Sequence, residues 1–141
     1  MQNVDAEIDF VDRVWERLRG RAARTLREDF CGTFAAACEW LRRRDDNTAV
    51  AVDLDEEVLD WGRQRNLPTL DDGQRSRLDI RMRDVRDSGA AGVETVLAMN
   101  FSYFLFKTRE ELRNYFATVH RDLADDGMLC LLYTSPSPRD S

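Results

Sequence analysis

The sequence predicts an α/β fold, a doubly wound and mostly parallel sheet of Rossmann-like form, and three observations point to it. Short β-branched apolar runs alternate with segments of helical period, which implies parallel strands joined by right-handed crossovers with helices on both faces. One run, Thr48-Ala-Val-Ala-Val-Asp53, is apolar and of the length of a strand buried on both faces. At 141 residues, 43% hydrophobic and 34% charged, the chain suits one domain and is too short for two.

The elements are taken in chain order. Val4, Ile8, Val11, Trp15 and Leu18 recur at spacings of four, three, four and three, an amphipathic helix with one apolar stripe that ends near Gly20. Ala23 to Glu28 reads as the first strand, mainly because a turn and a helical segment come directly after it. Thr33 to Arg44 reads as a helix, with Phe34, Ala37, Cys38 and Leu41 on one face and three arginines at the negative C-terminal end. After the Thr48 to Asp53 strand, Asp55 can cap a helix over Glu56 to Arg65. Leu67 to Arg77, with Pro68 and Asp72-Gly73, reads as a connecting loop.

Leu78 to Arg83 alternates Leu78, Ile80 and Met82 with charged neighbours, the pattern of a half-exposed strand near the sheet edge. The connection from Arg83 to Val93 is too short for a crossover helix, and Val93 to Asn100 is the next buried strand. Thr108 and Glu111 have the spacing of a capping box, and Leu112, Tyr115, Phe116, Val119 and Leu123 continue a helical period. Asp125-Asp126-Gly127 is expected to turn the chain into a strand that begins at Met128-Leu129.

From Cys130 the strand pattern gives way to CLLYTSPSPRDS, a Ser/Pro-rich string that resembles the conceptual translation of a sequencing-library adapter. The expectation is a domain over residues 1–129, incomplete at its C-terminal side with at most five strands, and a non-native tail over residues 130–141.

Charge and composition exclude several function classes. With 27 acidic against 21 basic residues and a net charge of -6, no global positive field exists to attract a phosphate backbone, so no nucleic-acid partner is expected. No apolar run approaches the roughly 20 residues of a spanning helix, and the polar start carries no signal-peptide core. A soluble, cytoplasmic protein with no membrane partner is expected. Cys31, Cys38 and Cys130 form no C-x-x-C pair and His120 stands alone, so neither a disulfide scaffold nor a metal site is expected.

An open sheet of this kind binds ligands outside the carboxyl ends of its strands, at the switch point beside the first strand. There stands Glu28-Asp29-Phe30-Cys31-Gly32-Thr33-Phe34, and the second strand ends on Asp53, 21 residues beyond Gly32. An acidic residue about 20 positions past a glycine-containing turn accepts hydrogen bonds from ribose hydroxyls in nucleoside-binding α/β folds. A dinucleotide site wants G-x-G-x-x-G so that backbone can approach a pyrophosphate. Here only Gly32 is present, with Phe30 and Phe34 where further glycines would stand. S-adenosylmethionine has no phosphate and carries a sulfonium cation, so an acidic turn with one glycine suits it better. Its carboxylate would lie near the N-terminus of the helix starting at Thr33.

On these residues the sequence resembles the class I S-adenosylmethionine-dependent methyltransferases, in particular a bacterial branch of unassigned substrate whose glycine motif reads EDFCGT. The resemblance runs from about Val4 to Leu129 through LREDFCGT (Leu26 to Thr33), AVAVDLD (Ala49 to Asp55), RMRDVRD (Arg81 to Asp87), LAMNFSYFLFKT (Leu97 to Thr108) and LADDGML (Leu123 to Leu129). It implies a seven-stranded sheet, residues before Met1, and a β-hairpin with much of the acceptor pocket beyond the present chain. It also implies a cofactor site. Glu28, with Asp29 beside it, would lie near the methionine amino group, and Cys31, Gly32 and Thr33 would line the methionine end through backbone atoms. Asp53 would hold the ribose, Leu54 would lie on the adenine, Asp84 would accept from the adenine amino group, and Val85 N–H would reach a ring nitrogen. Asn100 would sit between cofactor and acceptor.

Methyl transfer is an in-line displacement that needs no obligatory acid or base, so no side chain is singled out as catalytic. Asn100 and Tyr103, with Phe101, Phe104 and Phe106, are candidates for the wall of a small-molecule acceptor site. The rival readings are a nicotinamide-dependent oxidoreductase, which the single glycine disfavours, and a catalytically silent nucleoside-binding module.

Overall fold

The computed structural model describes residues 4–101 and 108–133. Tyr103, Phe104 and Phe106 lie outside the described residues, as do the side chains of Asn100 and Phe101. One all-parallel sheet runs in the order β3-β2-β1-β4-β5. The strands are β1 (Thr25–Asp29), β2 (Thr48–Asp53), β3 (Leu78–Met82), β4 (Val93–Phe101) and β5 (Leu123–Tyr133). The helices are α1 (Val4–Arg19), α2 (Ala35–Arg43), α3 (Glu56–Arg65), α4 (Asp72–Ser76) and α5 (Arg109–Asp122). The strand order reverses beside β1, which makes the space between the ends of β1 and β4 the switch point of an open sheet.

Two cores sit on the two faces. Ile8, Val11 and Trp15 of α1 pack with Leu26, Phe34, Trp40, Leu41 and Leu59 on one face. Val96, Ala98, Tyr115 and Val119 pack together beneath α5 on the other. Because side chains alternate along a strand, successive residues of β1 enter different cores.

Several boundaries differ from the sequence reading for identifiable reasons. The α1 stripe stops at Trp15, and Leu18 is 59% exposed. The helix predicted from Thr33 begins at Ala35, because Phe34 has a left-handed backbone (φ 52°) that no helix accommodates. The stretch read as a loop from Leu67 to Arg77 contains α4, whose capping box is formed by Asp71 and Gln74. β3 lies at a sheet edge and Asp55 caps α3 by accepting from Glu57 N and Val58 N, both as the pattern implied.

Asp125-Asp126-Gly127 does not turn the chain into a new strand. It lies within β5, where the ladder jumps from Val93↔Leu123 to Thr95↔Met128, so the three residues form an irregularity in the strand. Leu123, read as the continuation of the helix, is already the first residue of β5. β5 then runs through Cys130 and Leu131 as far as Tyr133, paired with β4. Among the described residues no helix is long and apolar enough to cross a membrane.

Candidate functional site

The turn that leaves β1 is built from three left-handed residues in alternation, Phe30 (φ 54°), Gly32 (φ 57°) and Phe34 (φ 52°). A side chain in this region costs roughly 1–2 kcal/mol, so the two phenylalanines keep a glycine-like backbone only because surrounding contacts hold them. Phe34 is fully buried, with its ring against α3 at Gly62, where an added Cβ would lie 2.6 Å from the ring. Phe30 packs its ring on Tyr115, centroids 5.5 Å apart. Backbone bonds from Cys31 N to Val52 O (3.1 Å) and from Phe34 N to Cys31 O (2.8 Å), with Asn66 Nδ2 donating to Thr33 O (2.7 Å), pin the turn to β2 and α3.

Asp53 and Gly32 meet directly. Gly32 N donates to Asp53 Oδ2 at 2.8 Å, and Asp55 N donates to Asp53 Oδ1 at 3.0 Å. The carboxylate is therefore oriented by backbone donors while each oxygen keeps acceptor capacity. Beside it opens a cavity of about 140 Å³ lined by Phe30, Asp53, Leu54, Arg83, Asp84, Val85, Arg86 and Glu111. Leu54 is 65% exposed at its mouth. Four residues marked in the sequence, Asp53, Leu54, Asp84 and Val85, thus share one cleft.

The remaining marked residues lie elsewhere. Glu28 is buried beneath the turn, and Oε1 accepts from Ala37 N in the first turn of α2 at 3.0 Å. Burial, opposed by the Ala37 N–H and reinforced by the charges of Asp29, Asp53 and Glu7, pushes this carboxyl up to about 8. Cys31 is also buried and its thiol is pushed far up by burial and by Glu28 and Asp53, so it is no nucleophile. Gly32 and Thr33 form the turn between them. Asn100 is the penultimate residue of β4, which runs one residue further than the sequence implied.

Asp29 turns away from the cleft, into the opposite core. Arg27 Nε and Nη2 donate to its two oxygens at 2.8 and 3.1 Å, and Tyr115 Oη donates at 2.7 Å. The same guanidinium donates to Asp122 (2.8 Å), Ser88 (3.2 Å) and the Ala90 carbonyl (3.1 Å). With its carboxylate consumed in this way, Asp29 serves the core that supports the turn and presents no side-chain oxygen to the cavity. Its partner Tyr115 lies 86 positions away along the chain, and no local spacing announces it.

Asp84 is a second case of prior occupation. It accepts from Arg86 N at 2.8 Å, from Arg86 Nε at 2.9 Å and, through its other oxygen, from Arg86 Nη2 at 2.7 Å. These bonds hold its carboxyl below the ordinary range. The D-x-R spacing in Arg81 to Asp87 was the available signal for this pair. Arg83 and Glu111 are further cleft residues that the sequence reading passed over.

No protein-family profile matches the chain, and no curated protein does. Solved structures do. CalS10, an amino pentose methyltransferase from Micromonospora echinaspora solved with S-adenosylmethionine bound, superposes with a TM-score of 0.75 at 20% identity, over 99% of this chain and 54% of that one. DesVI of Streptomyces venezuelae gives 0.73 at 22% identity, over 91% and 50%. The glycopeptide N-methyltransferase MtfA gives 0.69 at 20% identity, over 92% and 53%. The chain has the fold of the class I S-adenosylmethionine-dependent methyltransferases. It spans about half the length of these solved structures. Within this methyltransferase fold, the turn after β1 and the end of β2 are the two edges of the cleft, joined by the Gly32–Asp53 hydrogen bond.

Proposed function

We propose that this chain is the cofactor-binding part of an S-adenosylmethionine-dependent methyltransferase acting on a small-molecule acceptor. The single observation that carries the reading is the junction of Asp53 with Gly32 at 2.8 Å, on the rim of a cavity that also holds Leu54, Asp84 and Val85. That set offers a carboxylate to a ribose diol, an apolar plank to a planar base, and a backbone N–H with a carboxylate to the edge of that base.

The residues also fit the other end of the cofactor. A buried carboxyl raised to about 8 with one N–H partner lacks a cation, and an amino-acid ammonium supplies one, directly or through water. Phe34 stands where a pyrophosphate would need a third glycine, which disfavours a nicotinamide dinucleotide. When bound, the cofactor supplies an electrophilic methyl group on a sulfonium. The chain's own residues then bind and orient: Asp53 holds the sugar, Glu28 the charge of the amino group, Leu54, Asp84 and Val85 the base, and the backbone of Cys31, Gly32 and Thr33 the methionine end. Asn100 and Tyr103 are proposed to face the acceptor. Alignment of nucleophile and methyl carbon suffices for catalysis of this kind. The amino pentose and glycopeptide methyltransferases among the similar structures and the net charge of -6 support a small molecule over a nucleic acid as acceptor.

Isothermal titration with S-adenosylhomocysteine tests the reading. Binding is expected, and Asp53→Ala is expected to weaken it by about tenfold or more, the loss of a charged hydrogen-bond acceptor. Tight binding of NAD(H) with none of S-adenosylhomocysteine would overturn it.

A further inference from the structure

The nucleoside cleft contains its own substitute for a ligand. Asp84, the carboxylate proposed to read the adenine amino group, already receives two side-chain N–H groups of Arg86, at 2.9 and 2.7 Å. A guanidinium presents N–H donors to a carboxylate as an exocyclic amino group does, with charge added. Oδ2 accepts one bond and keeps one lone pair, so an adenine amino group must share that oxygen with the Arg86 Nη2 donor or take it alone once the guanidinium leaves. A candidate destination lines the same cavity: Glu111, in the first turn of α5, attracts the Arg86 guanidinium electrostatically. Asp84 keeps its orientation when the side chain departs, because the Arg86 backbone N–H still donates to it at 2.8 Å as the cap of the turn Val85–Asp87.

We propose that Arg86 is a specificity-determining residue of this cleft, competing with the base for Asp84 and swinging to Glu111 when an adenine amino group enters. The inference rests on the adenosine reading of the cleft and adds a rule for the base. A base bearing a carbonyl in place of the amino group accepts a hydrogen bond from Arg86 without displacing it. The arginine therefore narrows the advantage of adenine over hypoxanthine, and its removal widens that advantage.

The test is isothermal titration of wild type, Arg86→Ala and Glu111→Gln with S-adenosylhomocysteine and with S-inosylhomocysteine, after thermal denaturation has shown equal folding of the three. Removing an exposed competing ion pair is expected to tighten S-adenosylhomocysteine binding about three- to fivefold. The same change weakens S-inosylhomocysteine, which loses a donor. Glu111→Gln, which takes away the destination, weakens S-adenosylhomocysteine binding by a similar factor. If wild type binds and the ratio of the two ligands is the same in all three proteins, the role of Arg86 is refuted while the adenosine site stands. If none of the three binds either nucleoside, the adenosine reading itself falls and the role of Arg86 with it.

Discussion

Glu28 and Asp29 are neighbours on β1, both carboxylic acids and both buried, yet they live in opposite electrostatic worlds. Asp29 faces the α5 side, where Arg27 and Tyr115 satisfy it. Glu28 faces the α2 side, where it has one backbone N–H and three nearby carboxylates. Burial raises both, but only Asp29 has a guanidinium pulling against it. The difference teaches which acid is already neutralised by the framework and which lacks a counter-charge. The compensated one braces the turn from below, and the uncompensated one is the acid proposed to receive positive charge.

The largest predicted effect breaks the compensated side. Arg27→Met leaves Asp29 and Asp122 buried without their cation, and removal of one partner of such a pair costs about 3–5 kcal/mol. Denaturant unfolding measures it, and a loss below about 1 kcal/mol would show that the network is not what holds α5 to β1. A smaller loss is expected from Gly62→Ala on the other side. Its Cβ would lie 2.6 Å from the Phe34 ring and 2.7 Å from the Thr33 carbonyl, an overpacking cost of about 1–3 kcal/mol. Because it presses on the turn itself, it should also weaken nucleoside binding, which the same titration reads.

The effect most informative in sign comes from Glu28→Gln. The folded protein holds the Glu28 proton up to about 8, whereas an ordinary glutamate releases it near 4.5. Between these values the folded state carries more protons than the unfolded, so the stability owed to this group is fully present below about 4.5 and is lost as pH rises through about 8. Wild type should therefore lose stability from pH 5 to pH 9 more steeply than Glu28→Gln does. Parallel profiles by thermal denaturation would mean that Glu28 is solvated or paired.

Much of the fold and of the cleft was legible in the sequence, and what was not has a physical reason. β2 keeps the limits that its apolar run implied, and the 21-residue interval from Gly32 to Asp53 closes into a hydrogen bond. Local chemistry of that kind survives folding because the strand, turn and cap each act over a few residues. The helical period marked Tyr115 as apolar stripe, which it is, but its hydroxyl bond to Asp29 spans 86 positions and exists only once α5 is laid on the sheet. Glu28 and Asp29 read alike as an acidic pair before a glycine, since which face of β1 each enters depends on register with β2 and β4. Phe30 and Phe34 looked like obstacles at glycine positions, whereas the turn keeps its left-handed backbone and uses the two rings as packing.

Proton linkage tests the central claim most directly. Wild type is titrated with S-adenosylhomocysteine at pH 7 in two buffers of different ionisation enthalpy, and Glu28→Gln is run alongside. An ammonium received near Glu28 should drive its proton into the buffer, so that wild type releases close to one proton per ligand bound and the variant releases almost none. Binding of wild type with no buffer dependence, or release that persists in Glu28→Gln, would contradict the assignment of this buried acid to the ligand's positive end.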